Sequence, residues 1–173
     1  KMKFKEDYTL AEVKGMLSIY EGNREIKENN SLSNRLTRQD AAAHPQSEHA
    51  GANFLNLGKR VNTIGGPRKN STYLNQSSQA SATMEILNSV EGKKARLSVY
   101  NGEPFAHIKT ELKGRYQIAH AEDLSIDSLE RKNPGRENAG FKSTMPFATH
   151  GFVKIVPAVG GLIQIQTSYP IVN

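Results

Sequence analysis

The spacing of apolar residues changes period once along this chain, from helical to alternating, and that switch restricts the fold more than any other feature. In the first half, Leu10, Val13, Met16, Leu17 and Tyr20 recur at helical spacing behind a T-x-x-E capping box formed by Thr9 and Glu12. The pattern predicts a helix over 9–21. Phe54, Leu55, Leu57 and Val61 predict a short second helix beginning near Ser47 or Glu48, and Ala82, Ile86, Leu87 and Val90 a third over 79–90, stopped by Gly92. Beyond it the apolar residues alternate. Ala95 to Tyr100 and Phe105 to Leu112 flank Asn101-Gly102, and Phe152 to Val159 and Leu162 to Tyr169 flank Gly160-Gly161, so two β-hairpins are expected. Helices first and strands afterwards predict an α+β fold, with N-terminal helices packed on a twisted antiparallel sheet.

Between these elements lie polar stretches. Asn23 to Gln46 reads as a linker or weakly packed helix, Asn62 to Asn75 as a mobile basic loop carrying Arg68 and Lys69, and Asp123 to Gly140 as a charged loop around Asn133-Pro134-Gly135. The chain begins at Lys1 and reads as a fragment of something longer. There are no cysteines in its 173 residues, which excludes disulfides, thiolate metal sites and a cysteine nucleophile. Packing alone must hold the fold. No apolar run approaches the length of a membrane-spanning helix, and no signal-peptide pattern occurs. Lys and Arg number 23 against 17 Asp and Glu, a formal net charge of +6, which favours a polyanionic partner such as nucleic acid.

Few residues combine into chemistry. His49 sits in an early-helical context with Arg60 eleven residues on, a spacing that returns to nearly the same helix face. A histidine moves protons near neutral pH and an arginine offers a fixed cationic fork, together a minimal kit for phosphodiester chemistry. On the last strand, Ile163, Ile165, Thr167 and Tyr169 are expected on one face and Leu162, Gln164, Gln166 and Ser168 on the other, which makes the two hydroxyls of Thr167 and Tyr169 neighbours. His107, His120 and His150 fall on or beside strands, where a histidine is more often structural; His150, next to the C-terminal hairpin, is the best reserve acid or base. Metal and nucleotide motifs do not fit. His44 and His49 lack helical ligand spacing, and Gly58-Lys59 lacks both the earlier glycine and the following hydroxyl of a phosphate loop.

His49, Arg60, Ser71-Thr72-Tyr73, the helix with Ala82 and Ile86, and Thr167-Ser168-Tyr169-Pro170 occur in one order, and this set resembles the bacterial RNase A-like toxin domains of contact-dependent growth inhibition effectors. That family has a His, an Arg about three turns later, a Ser-Ser-Phe-like segment before an Ala- and Ile-bearing helix, and a closing T-x-Y-P strand. The resemblance spans His49 to Pro170; Tyr73 replaces the usual Phe, and 101–150 has no counterpart. Glu28 to Ser33 is faintly similar to the E-N-N motif that precedes such domains.

The resemblance implies an RNase A-like fold without disulfides over 46–173, with 1–45 as an N-terminal helix and linker of a cytoplasm-entry segment. It implies a cofactor-free, metal-independent endoribonuclease acting on RNA, tRNA among the candidates, in the cytoplasm of a target bacterium, after export as the end of a cell-surface effector. His49 would be general base or acid, Arg60 the charge stabiliser, Tyr169 a second proton donor or phosphate ligand, and Thr167 its hydrogen-bonding neighbour. Lys59, Arg68 and Lys69 would hold flanking phosphates, and a cognate acidic immunity protein would cover the cleft. The competing expectation is a non-catalytic RNA-binding or translocation module of a larger surface effector.

Overall fold

The computed structural model describes residues 4–17, 69–123 and 141–173. Within them the fold is α+β, with three α-helices and two three-stranded antiparallel sheets. The first helix, α1, covers 10–17 and starts on the expected capping box: the Glu12 N–H donates to Thr9 Oγ1 at 3.2 Å and the Thr9 N–H to Glu12 Oε1 at 3.0 Å. Its Val13 and Leu17, with Tyr8 before them, are buried in the same core as the later elements.

β1 (Lys69–Tyr73) occupies what the sequence predicts as the end of a basic loop, and pairs antiparallel with β3 (Ile118–Asp123). The loop prediction fails for these five residues because Asn70, Thr72 and Tyr73 are buried, and paired backbone is what satisfies a buried strand. α2 (Gln76–Asn88) begins three residues earlier than expected, since Asn75 caps it by accepting from the Ser78 N–H at 2.8 Å.

The expected strand over Ala95 to Tyr100 is instead α3 (Val90–Tyr100), so the first hairpin does not form. Ser89 breaks α2 with extended backbone and caps α3 through its hydroxyl, which accepts from the Gly92 N–H at 3.0 Å. Gly92 does not stop a helix; it lets two helices meet. A Cβ there would lie 2.1 Å from the Ile86 carbonyl oxygen and 2.6 Å from that of Leu87. The buried residues of α3, Gly92, Arg96 and Val99, follow helical spacing, whereas Leu97, which completes the apparent alternation, is exposed. Asn101-Gly102 still turns the chain, with Gly102 at φ +116°, but from α3 into β2 (Ala106–Glu111).

Arg96 is 2% exposed and binds three carbonyls: Nε donates to Leu87 at 2.9 Å, and the two terminal nitrogens donate to Lys5 and Glu6, each at 2.6 Å. Its guanidinium also lies over the rings of Phe4 and Tyr8, at 5.4 and 5.1 Å from their centroids. One side chain thus ties the N-terminal segment to the α2–α3 junction. Asn88 adds a reciprocal pair of bonds with the Tyr8 backbone, at 2.8 and 2.9 Å.

The second hairpin is present as expected. β5 (His150–Pro157) and β6 (Ile163–Ile171) pair across one 3₁₀ turn, Val159–Gly161, whose Gly160 and Gly161 take φ of +77° and +74°. β2 completes this sheet in the order β2-β5-β6, and β4 (Phe141–Thr144) completes the other in the order β1-β3-β4. Ile108, Val153, Ile155, Ile163 and Ile165 face Ile86 and Leu87 across the core. Each fully buried aliphatic side chain contributes about 1.5–3 kcal/mol. Helix and sheet meet closely at Gly151, where a Cβ would sit 2.4 Å from Ile86 Cδ1.

The register between β5 and β6 shifts between Lys154 and Ile155, so that Lys154 opposes Thr167 while Ile155 opposes Ile165. Gln166 is the extra residue of a β-bulge. It reverses the expected facing of the strand's second half. Ile163 and Ile165 point into the core, but beyond the bulge Ser168 and Pro170 take over that role, and Thr167 and Tyr169 turn to the opposite face. Ser168 is held inward by α2: its carbonyl accepts from Gln79 Nε2 at 3.0 Å and its hydroxyl lies 2.7 Å from that of Thr83.

Candidate functional site

The outward face of β2-β5-β6 forms a three-by-three array set by strand register. Its rows run His107, Lys154, Thr167; then Lys109, Phe152, Tyr169; then Glu111, His150, Ile171. Between them Ile108, Val153 and Ser168 point inward, so strict alternation places all nine on the solvent side. Thr167 and Tyr169 are neighbours, as the sequence predicts, though on the face opposite Ile163 and Ile165. The Tyr169 ring stacks on Phe152 with centroids 4.8 Å apart. Partial burial pushes its phenol above the ordinary value of 10, so it stays a protonated donor across the neutral range.

His150 shares this face, diagonal to Tyr169, a relation that separates residues by about 7–8 Å. Its Nδ1 lies 3.0 Å from Thr149 Oγ1 and 3.3 Å from Asn173 Nδ2. In the sequence His107 reads as a structural strand histidine, and Lys109, Phe152 and Lys154 carry no local signal of a site. What would have singled them out is their cross-strand register with Thr167 and Tyr169, which no local pattern encodes.

The other sheet holds a contrasting cluster. Ser71 opposes His120 and Lys69 opposes Glu122 across β1 and β3. His120 Nδ1 lies 2.5 Å from Ser71 Oγ and its Nε2 3.1 Å from Glu122 Oε1, while Lys69 Nζ reaches Glu122 Oε1 at 3.6 Å. The bond with His120, with the Lys69 charge behind it, holds the Glu122 carboxyl below its usual range. A serine, a histidine and a glutamate in a row have the order of a nucleophile relay. Here the histidine is 4% exposed with both ring nitrogens engaged, which is the condition of a buried structural side chain. Lys69 is thereby engaged with Glu122 on this sheet.

His49, Lys59, Arg60 and Arg68 lie outside the described residues. Among the described residues no group of three His, Asp or Glu side chains is placed to hold a metal ion, and no helix is long and apolar enough to cross a membrane. No family model and no curated protein matches the sequence. Among solved structures the chain is similar to one in the crystal structure of a CdiA-CT/CdiI complex from Y. kristensenii 33638, with 18% identity and a TM-score of 0.49, covering 72% of this chain and 95% of that one.

Proposed function

We propose that this chain is an RNase A-like toxin that cleaves RNA without a metal, by transphosphorylation through the 2′-hydroxyl. The observation that supports it best is the outward placement of Thr167 and Tyr169 beside Lys154, with the Tyr169 phenol held protonated. RNA supplies its own nucleophile. A base removes the 2′-hydroxyl proton, the oxygen bonds to phosphorus, and the bond to the 5′-oxygen breaks as an acid donates a proton to it. The products are a 2′,3′-cyclic phosphate and a free 5′-hydroxyl. In this scheme His49 is the base or acid, Arg60 neutralises the phosphorane, Tyr169 donates a proton or a hydrogen bond to phosphate, and Thr167 supports it. Lys59 and Arg68 hold flanking phosphates, with Lys69 available to them only if it leaves Glu122, and His150 is the reserve acid or base.

The reading includes delivery as the C-terminal part of a surface effector and an acidic immunity protein that covers the cleft in the producing cell. The test is incubation of the purified chain with labelled RNA in excess EDTA. Cleavage with cyclic-phosphate ends is expected, about a hundred to ten-thousandfold slower in His49→Ala, and abolished by the acidic product of an adjacent gene. Strict dependence on a divalent ion, or full activity in His49→Ala, would refute it.

A further inference from the structure

Four rings cross the outward face of β2-β5-β6 in a continuous line. Phe105 to His107, His107 to Phe152 and Phe152 to Tyr169 are 5.2, 5.3 and 4.8 Å apart between centroids. Such a line is unusual on a sheet's solvent face, where polar residues normally alternate with buried apolar ones. Phe105, at its free end, is 49% exposed and contributes nothing to the core. Two lysines flank the line: Lys109 stands in register with Phe152, and Lys154 holds its ammonium 5.1 Å from the Phe105 ring centroid. Across the nine positions of the array, Glu111 is the one carboxylate.

We infer that this face is a binding platform for single-stranded RNA, on which unpaired bases stack along Phe105, His107, Phe152 and Tyr169 while Lys109 and Lys154 neutralise the phosphates between them. Every base offers a π-face, so aromatic stacking tolerates any sequence, but the base must be free of a duplex to reach it. Lysines among the rings give the complementary charge, in a chain of net charge +6. The inference rests on the ribonuclease reading for one point, that the strand crosses a scissile phosphate at Tyr169. It adds the surface that holds the strand beyond that phosphate, and the direction in which the strand leaves the site, over β5 towards β2.

The probe is a short fluorescent 2′-O-methyl oligonucleotide, which lacks the nucleophile and reports binding without turnover. Anisotropy is expected to show tighter binding of the single strand than of the same sequence as a duplex. Phe105→Ala should weaken it by about 5- to 150-fold, the worth of one stacked base, with Tm unchanged. Lys109→Gln should reduce the slope of log affinity against log salt by about 0.7. If the chain cleaves RNA, Phe105→Ala raises KM and leaves kcat alone. Equal affinity for the duplex, or unchanged affinity in Phe105→Ala, overturns the platform even if RNA is cleaved. Binding through Phe105 without any cleavage keeps the platform and removes the ribonuclease reading.

Discussion

Each of the two sheets carries a tyrosine whose phenol is pushed upward by burial and a histidine opposite a serine, threonine or lysine, yet the two sheets use them differently. In β1-β3-β4, Tyr73 is fully enclosed and His120 has a partner on each ring nitrogen. In β2-β5-β6, Tyr169 is half-buried and His107 is exposed beside Lys154. The residue types are the same; the difference is whether a substrate atom could reach them. His120, buried with both ring nitrogens engaged, is part of the scaffold, whereas Tyr169 and His107 sit where a molecule outside can touch them.

The strongest way to break this comparison is to remove one hydroxyl from the solvent-side sheet. Tyr169→Phe keeps the ring stacked on Phe152 and deletes only the donor, so RNA cleavage is expected to fall by about a hundredfold or more with Tm unchanged. An unaltered rate would mean that the face is not catalytic.

A smaller effect of a different kind is expected from the enclosed histidine. His120→Ala leaves Ser71 and Glu122 without their shared partner and is expected to destabilise the fold by about 1–3 kcal/mol in chemical denaturation. Activity per folded molecule should persist. A rate loss that exceeds the loss of folded protein would move His120 from scaffold to chemistry.

The smallest effect distinguishes the two tyrosines directly. The Tyr73 hydroxyl is buried with no hydrogen-bond partner among the described residues, so Tyr73→Phe is expected to change stability at pH 7 by less than about 1 kcal/mol, in either direction. At high pH the sign is fixed. Burial raises the folded-state affinity of Tyr73 for its proton above the unfolded value of 10, so stability is fully present below pH 10 and lost as pH rises beyond it. Tyr73→Phe should flatten that loss. Part of the slope remains with Tyr116, pushed up to about 12 by its burial and by Glu85. Denaturation midpoints at pH 9 and pH 11 for the two proteins check it.

Elements whose signals are local are legible in the sequence. The capping box at Thr9 and Glu12, the glycine pair of the C-terminal hairpin and the buried stripe of Ala82, Ile86 and Leu87 appear as their patterns predict, whereas Val90, expected on the same stripe, begins α3 and is exposed. α3 is misread because Ala95, Leu97 and Val99 alternate by accident, while the residue that anchors the helix is a buried arginine, which no hydrophobic pattern flags. Strand β1 is hidden for a similar reason, since Asn70 and Thr72 are polar residues inside. As for the site, the adjacency of Thr167 and Tyr169 follows from strand geometry alone. Their facing does not, because a bulge is set by how β6 must meet both β5 and α2, and its one-residue shift leaves no trace in composition.

The bulge at Gln166 has a consequence for how such a strand can change over generations. On one side of it, Ile163 and Ile165 answer to the core; on the other, Thr167 and Tyr169 answer to whatever meets the surface. A strand with unbroken alternation would oblige both halves to share one phase, so any one-residue insertion or deletion would rotate the surface-facing half inward. Here the irregularity acts as a clutch between two gears. The aliphatic half can drift among residues of similar volume, and the surface-facing half can exchange its side chains, without either change being transmitted along the backbone to the other.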